Sequence, residues 1–162
     1  MPDDSRRNFV DTIKQLGGNS ILLRTIGGRY ETLYVSPEYS AMMEDSEEAS
    51  ASYDVMRDID EVIYHEDREL AQYMLKHCEA PDKSRSIQIR KVTAKHNVIW
   101  CDVRCSRVSS GEDEYLYMTF SDITLFKSYE EKIRTSYDSL GQTFYHQDEH
   151  TLAMFRVDLT LD

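Results

Sequence analysis

The sequence predicts an α+β fold, in which helices cover one face of a five-stranded antiparallel sheet and a further helix flanks each end. Hydrophobic residues recur at intervals of two in three segments, as in strands with one buried face, and two further strand-like segments surround a Gly-Gly turn. At both ends of the chain they recur at intervals of three and four, as in amphipathic helices. Two strand segments precede a group of short helical segments and three follow it, an order typical of α+β domains.

Length and charge set the first limits on function. The chain has 162 residues, which fits one domain with short appendages. Its net charge is −11, so we expect no nucleic-acid partner and no anionic membrane surface, since both require basic patches. No apolar run approaches the roughly 18 residues of a membrane span, and the polar start MPDDSRRNF does not resemble a signal peptide. These features predict a cytoplasmic protein without a membrane segment.

The first element is an amphipathic helix within residues 1–18. Residues 5–16 carry three apolar side chains on one helical face, namely Phe9, Ile13 and Leu16. Gly17-Gly18 ends the helix. A β-hairpin follows, because two apolar segments, 19–26 and 29–35, surround the tight-turn pair Gly27-Gly28.

Short helices are expected between the hairpin and the next strand. Ser36 suits a helix cap and Pro37 suits a first turn, so PEYSAMM is predicted to be a short helix. Residues 44–52 are acidic and small, which indicates a loop or a weak helix. Residues 66–78 form the longest predicted helix of this group, with acidic residues in its first turn and Pro81 after its end.

Three strands complete the predicted sheet, at residues 84–92, 97–108 and 114–123. Alternation in the middle strand assigns four side chains to one buried face: Ile99, Cys101, Val103 and Cys105. Two of these cysteines, four residues apart on a strand, lie roughly 13 Å apart, beyond the about 7 Å that a disulfide spans. We therefore interpret all three cysteines as free, buried thiols of a reducing compartment.

This order of elements resembles the PAS domain, and two local sequences strengthen the resemblance. YHEDRE, residues 64–69, is similar to the His-Pro-x-Asp-Arg stretch before the longest helix of that family, with Glu66 in place of proline. SDIT, residues 121–124, is similar to the Asp-Ile-Thr signature at the end of the last PAS strand. The resemblance assigns residues 19–124 to the PAS domain.

The resemblance also implies a ligand cavity between the concave face of the sheet and the helices. Simple core packing is the alternative interpretation of the side chains that would line it. The expected lining consists of Leu23, Leu33, Met56, Tyr73, Ile89, Cys101, Val103, Met118 and Phe120.

The SDIT segment is expected to join the last strand to the outgoing helix. Thr124 is positioned to cap the helix, and the charge of Asp122 favours the helix start. In PAS domains this Asp and Thr tie strand to helix, so the resemblance implies that Asp122, Ile123 and Thr124 relay a signal. An ordinary helix cap is the alternative.

The C-terminal helix, residues 125–141, is expected to pair two chains. Its apolar residues follow a heptad seam with a weak position at Ser136: Phe126, Tyr129, Ile133 and Leu140. The N-terminal helix is a candidate to join this seam. The alternative is a helix that packs on its own sheet, since two heptads are too few to hold a coiled coil alone.

For the cofactor, the sequence leaves two alternatives: a small organic ligand or no ligand at all. Flavin-sensing PAS domains carry a cysteine in an Asn-Cys-Arg-Phe-Leu context, which LKHCEAP around Cys78 does not match. His77 lies near the position of a haem ligand, but in a late turn that we expect to be wet. His146 and His150 have the i, i+4 spacing of a metal pair, although a solvated linker is the preferred interpretation, so no metal site is predicted.

The predicted function is that of a sensory or regulatory PAS module of a bacterial signal-transduction protein, which binds a small ligand in its core and relays the change through its C-terminal helix. Residues 142–162 are read as a linker and the start of a second PAS-like unit, LAMFRVDLT. Such domains commonly precede histidine kinases or GGDEF diguanylate cyclases, so an effector domain is an expected partner. A ligand-free PAS dimerisation module is the alternative. A small α+β enzyme is a more distant one, because no catalytic motif is present.

Overall fold

The computed structural model describes residues 2–147 and the side chains of residues 4–141. The chain divides into two units between Thr124 and Leu125, and each is described by itself. The elements in chain order are α1 (Pro2–Leu16), β1 (Ser20–Ile26), β2 (Arg29–Val35), α2 (Pro37–Met42), α3 (Glu47–Ser50), α4 (Val55–Arg57), a π-helical turn (Asp58–Val62), a 3₁₀ turn (His65–Asp67), α5 (Arg68–Lys76), β3 (Ser86–Val92), β4 (Val98–Ser110), β5 (Asp113–Asp122) and α6 (Thr124–Gln147).

The five strands form one antiparallel sheet in the order β2-β1-β5-β4-β3, which confirms the predicted α+β fold. The predicted hairpin is confirmed as β1 and β2. The short helix after it is confirmed as α2, because the Ser36 hydroxyl oxygen accepts a hydrogen bond from the Tyr39 amide at 3.1 Å. That oxygen also accepts from the Ser20 amide at 2.9 Å, which ties the cap to the sheet.

The two faces of the sheet bury different sets of side chains. On the inner face the main core packs beneath α2 to α5, as predicted. On the outer face α1 packs its Phe9 and Ile13 against Leu22 and Tyr115, with the rings of Phe9 and Tyr115 4.7 Å apart. The prediction of helices on one face is therefore incomplete, because α1 covers the other. These contacts bury Ile13 and part of Phe9, two of the three apolar residues of this helix, whereas Leu16 is 64% exposed.

A β-bulge in β2 changes the face of the sheet on which the Leu33 side chain lies. Leu22 pairs with Tyr34, but Leu23 pairs with Thr32, so Leu33 is the extra residue between them. Leu33 packs with the α1 cluster on the outer face. Its prediction as a pocket residue is wrong, because the bulge shifts the alternation on which that prediction depended.

The outgoing helix is longer than predicted. It continues through Gly141 to Gln147 instead of ending at residue 141. Within the described residues, none of the helices is long and apolar enough to cross a membrane. The LAMFRVDLT segment and His150 lie outside the described residues.

Candidate functional site

The predicted pocket residues fall into two groups. Met56 is 46% exposed and Tyr73 is 63% exposed, so neither lies in the core beneath the sheet. Their prediction is wrong because α4 buries Val55 and α5 buries Ala71 and Leu75 instead, which leaves Met56 and Tyr73 on the exposed faces. The remaining residues, apart from Leu33, are brought together in the inner core: Leu23, Ile89, Cys101, Val103, Met118 and Phe120.

The inner core is almost completely filled by side chains. A cavity of about 20 Å³ remains, with walls that include Ile89, Val103, Met118 and Phe120. This is room for about one water molecule. A flavin, a haem or another organic ligand would therefore need the core to be repacked before it could bind there.

A buried ion pair occupies one end of this core. Lys91 projects inward from β3 and its side chain has no exposed surface. Its Nζ lies 2.8 Å from Oδ2 of Asp58 and 2.5 Å from the hydroxyl of Tyr39. It also lies 5.0 Å from the ring centroid of Tyr39 and 5.1 Å from that of Phe120. Charged groups this deeply buried are rare unless they are paired in this way.

Lys91 is not among the residues predicted above, although the sequence carries a signal for its burial. Ile87 and Ile89 alternate on β3, and the same alternation assigns Lys91 to the buried face. Its partner was harder to find, because Asp58 lies in a π-helical turn, where the amide of Ile63 donates to the Asp58 carbonyl at 2.9 Å. π-helical turns are rare in proteins, and those that occur are often found at functional sites.

The electrostatics of this cluster favour the ionised pair. Burial is the largest single effect and would lower the pKa of Lys91, but the charge and hydrogen bond of Asp58 and the neighbouring groups together outweigh it, so the pKa is raised. Burial, followed by the nearby charge of Asp58, raises the pKa of Tyr39 and of Tyr53 well above the ordinary value, so both hydroxyls stay protonated. The Tyr53 hydroxyl is buried near Asp58 without reaching hydrogen-bond geometry with any group in the described part of the chain.

A surface groove reaches the same cluster from outside. Its volume is about 300 Å³, and Tyr39, Tyr53 and Asp58 form part of its wall. Three further carboxylates line it, against Arg57 and His96: Asp45, Asp54 and Glu61. Tyr53 and Asp58 therefore stand between the open groove and the small core cavity.

The SDIT segment forms a hydrogen-bonded joint at the end of the sheet. Oδ1 of Asp122 accepts from the Thr124 amide at 2.9 Å and from the Thr124 hydroxyl at 2.5 Å. The Thr124 Oγ1 in turn accepts from the Trp100 amide at 2.9 Å, and the Ile123 amide donates to the Trp100 carbonyl at 2.8 Å. The prediction that Thr124 caps the helix is wrong, since Thr124 is the first residue of α6 and its hydroxyl oxygen is used by β4.

The YHEDRE segment is held against the edge of the sheet by Arg90. Asp67 accepts from the Arg90 amide at 2.7 Å and from its guanidinium at 2.9 Å. Glu66 accepts from the same guanidinium at 2.9 Å. The guanidinium carbon lies 4.4 Å from the ring centroid of Tyr64 and 5.1 Å from that of Trp100. Contacts thus connect the start of α5 through Arg90 to the ring of Trp100. The amide of Trp100 in turn donates a hydrogen bond to Thr124 of the SDIT segment.

The pH dependence of stability tests the Asp67 contact. Hydrogen bonds from Arg90 lower the pKa of Asp67 below its ordinary value of 3.8. A carboxylate with a depressed folded-state pKa stabilises the fold above its unfolded pKa, and this contribution is lost as the pH falls through the folded value. We expect Asp67→Asn to lower the free energy of unfolding by about 1.5–3 kcal/mol at neutral pH. The difference from the unmodified chain should shrink as the pH falls below about 4.

Chemical denaturation at a series of pH values measures this effect. Asp60→Asn, at an exposed position nearby, is the matched control and should change stability by no more than about 0.5 kcal/mol. A difference between Asp67→Asn and the unmodified chain that stays constant through this acid range would contradict the assignment.

The fold is similar to solved structures of PAS and LOV proteins. A LOV protein of Rhodobacter sphaeroides aligns with a TM-score of 0.57 at 10% identity, covering 72% of this chain and 68% of that one. A sensory box histidine kinase/response regulator from Burkholderia thailandensis E264 gives 0.53 at 19% identity, covering 80% and 95%. The PAS domain of the fruit-fly ELK potassium channel gives 0.51 at 14% identity, covering 72% and 98%.

No family model and no curated protein matches the sequence. The identities to the solved structures are low, so the likeness is one of fold and not of ligand. The five-stranded antiparallel sheet and the helices on its inner face agree with it. The chain therefore has the fold of the PAS domains.

Proposed function

We propose that this chain is a sensory module of a signal-transduction protein, with its input at the Lys91–Asp58 pair and its output through Asp122, Ile123 and Thr124 into α6. The observation that carries the proposal is the Trp100–Thr124–Asp122 set of hydrogen bonds. It ties two strands of the sheet to the first residue of the outgoing helix. A displacement of β4 would therefore move the start of α6.

The input is a small ligand that enters the groove at Tyr39, Tyr53 and Asp58. The groove is acidic, so it favours a ligand with a cationic or hydrogen-bond-donating group. The buried Tyr53 hydroxyl and the carboxylate of Asp58 supply polar groups at its inner end. By competing for Asp58, such a ligand would weaken the bond to Lys91.

The path from input to output is short. Lys91 follows Arg90 on β3, and Arg90 pairs across the sheet with Trp100, whose amide bonds to Thr124. A ligand changes the output only if it binds two arrangements of these contacts with different affinity. The proposal assigns those two arrangements to the presence and absence of the Lys91–Asp58 bond.

The helix α6 would pass the change to a second copy of the chain and to an effector domain. Along the helix, Phe126, Ile133 and Leu140 repeat every seven residues and are each more than half exposed. The expected assembly is a homodimer in the cytoplasm, with a C-terminal effector such as a histidine kinase or a GGDEF domain. The net charge of −11 argues against a nucleic-acid partner.

Native mass spectrometry of the purified chain tests the input. An additional non-covalent mass that is retained by the unmodified chain is the expected result. Asp45→Asn with Glu61→Gln should weaken its binding, because both exposed carboxylates line the groove. Glu47→Gln with Asp60→Asn removes the same charge from exposed positions outside the groove lining and is the control. Equal binding by the two double variants would contradict a ligand in this groove.

Hydrogen exchange tests the output. Thr124→Val keeps the shape of the side chain but removes the oxygen that accepts from Trp100. We expect the amides of Trp100 and of the first turn of α6 to exchange about fivefold faster, the equivalent of about 1 kcal/mol for a lost cap-like bond. Ser121→Ala removes an exposed hydroxyl from the same segment and serves as the control. Exchange in Thr124→Val no faster than in that control would argue against a joint at Thr124.

A ligand-free dimerisation module is the second candidate function. The observation in its favour is the filled core, whose cavity of about 20 Å³ holds no organic molecule. A chain that shows only the polypeptide mass, as a dimer, after purification and after incubation with small amines would support this second function.

A further inference from the structure

Two cysteines that are distant in the sequence meet at the end of α5. Sγ of Cys78 lies 2.8 Å from Sγ of Cys105 on β4. Both are free thiols, and each is largely buried. In the sequence, Cys101 and Cys105 are the neighbouring pair, and nothing local indicates that Cys78 meets Cys105.

The backbone holds these two thiols in register. Glu79 forms a parallel bridge to Ser106, and the amide of Arg107 donates to the Glu79 carbonyl at 2.7 Å. Nε of Arg107 donates to the Cys78 carbonyl at 3.1 Å. The segment after α5 is thus held against β4 directly beside the thiol pair, and the contact does not depend on the packing of the two thiols alone.

A second surface groove gives access to the pair. Its volume is about 710 Å³, and both Cys78 and Cys105 line it, with Lys83 and Arg85 nearby in the same wall. The hydrogen bond with Cys105 lowers the pKa of Cys78 against the opposing effect of burial, and the charge of Arg107 lowers it further. The same contact and burial raise the pKa of Cys105. Cys78 is also the more exposed of the two thiols, at 8% against 3%, so we expect it to be the one that meets the oxidant and attacks.

We propose that Cys78 and Cys105 form a reversible redox pair, which a small hydroperoxide oxidises to an intrachain disulfide. The Cys78 thiolate attacks one oxygen of the peroxide, the O–O bond breaks, and the leaving hydroxide or alkoxide takes up a proton. The Cys105 sulfur then attacks the sulfenic sulfur of Cys78, and the S–O bond breaks. The departing hydroxide takes the Cys105 proton and leaves as water, so two thiols are oxidised and one peroxide is reduced.

The disulfide would change the mechanics of the domain. It would join the segment after α5 covalently to β4, the strand that carries Trp100. Closing the two sulfurs to a bond of about 2.05 Å requires a movement of under about 1 Å. Cys101 provides the internal contrast, because it has no exposed surface and burial raises its pKa to about 11. Cys101 should therefore stay reduced under the same conditions.

The chain is well suited to a direct test, because trypsin cleavage after lysine and arginine separates the three cysteines. Cys78 lies in HCEAPDK, Cys101 in HNVIWCDVR and Cys105 in CSR. The purified chain is treated with hydrogen peroxide, its remaining thiols are alkylated, and its peptides are mapped without reduction. The expected result is a linked HCEAPDK–CSR pair that dithiothreitol separates, with HNVIWCDVR alkylated.

Two variants sharpen this test. In Cys105→Ser the sulfenic acid of Cys78 has no partner and should be trapped by dimedone. Cys101→Ala should leave the linked pair unchanged. Peroxide that leaves all three thiols free, oxidises Cys78 irreversibly in the unmodified chain, or links Cys101 in place of either residue would overturn the proposal. The peptide map of the unmodified chain decides this even if a variant fails to fold.

Discussion

Lys91→Met is expected to lower the free energy of unfolding by about 3–5 kcal/mol, because it leaves the buried carboxylate of Asp58 without its cation. The hydroxyl of Tyr39 would lose its bond to Nζ at the same time. The replacement is nearly isosteric, so the loss reports charge and hydrogen bonding more than volume. Urea denaturation measures it, with the fluorescence of Trp100, the single tryptophan of the chain, as the probe.

Two further variants separate the pair from its surroundings. Lys95→Met removes a positive charge from an exposed position of the β3–β4 turn and should change stability by no more than about 0.5 kcal/mol. Lys91→Met with Asp58→Leu should recover most of the loss, since hydrophobic replacement of a whole buried pair is often neutral. If Lys91→Met proved as harmless as Lys95→Met, the buried ion pair would not exist in solution.

Ile133→Asp is expected to convert a dimer of this chain into a monomer and so to halve its mass in solution. Ile133 occupies the middle of the seam between Phe126 and Leu140 and is 60% exposed within one chain. A carboxylate there would face its copy across a two-fold axis in an apolar seam, where burial of an unpaired charge is costly. Size-exclusion chromatography with light scattering measures the mass directly.

The matched control places the same negative charge on the solvent-exposed face of α6, away from the seam. Thr135 is exposed and lies outside the seam, so the variant Thr135→Asp should remain dimeric. Circular dichroism of both variants checks that α6 is equally helical in each. An unmodified chain that is already monomeric, or two variants of equal mass, would contradict pairing through α6.

The local elements of this fold were predictable because their causes lie within a few residues. The glycine pair between β1 and β2 and the cap at Ser36 each act over short spans, and both occur where the sequence indicated them. Alternation identified the inner face of β4 for the same reason. Where a local irregularity intervened, the same reasoning failed: one extra residue at Leu33 was enough to move that side chain to the other face.

The candidate site was predicted only in part, because its residues come from separate segments. Alternation along β3 was sufficient to bury Lys91, but nothing near it in the sequence identifies Asp58, 33 residues earlier, as its partner. The same holds for Arg90 and Asp67, which are 23 residues apart. Strong local patterns indicate which side chains are buried, whereas the partner of a buried charge depends on how distant elements pack.

The sequence alone determined that this protein is an α+β domain with one antiparallel sheet, a strand-to-helix junction at SDIT and a net negative charge, since periodicity, turn residues and composition are local properties of the chain. Only the tertiary structure decided that the buried Lys91 pairs with Asp58, that α1 covers the outer face, and that Cys78 meets Cys105 instead of Cys101. These features depend on strand register and helix docking, which bring together residues separated by tens of positions and which no local pattern encodes.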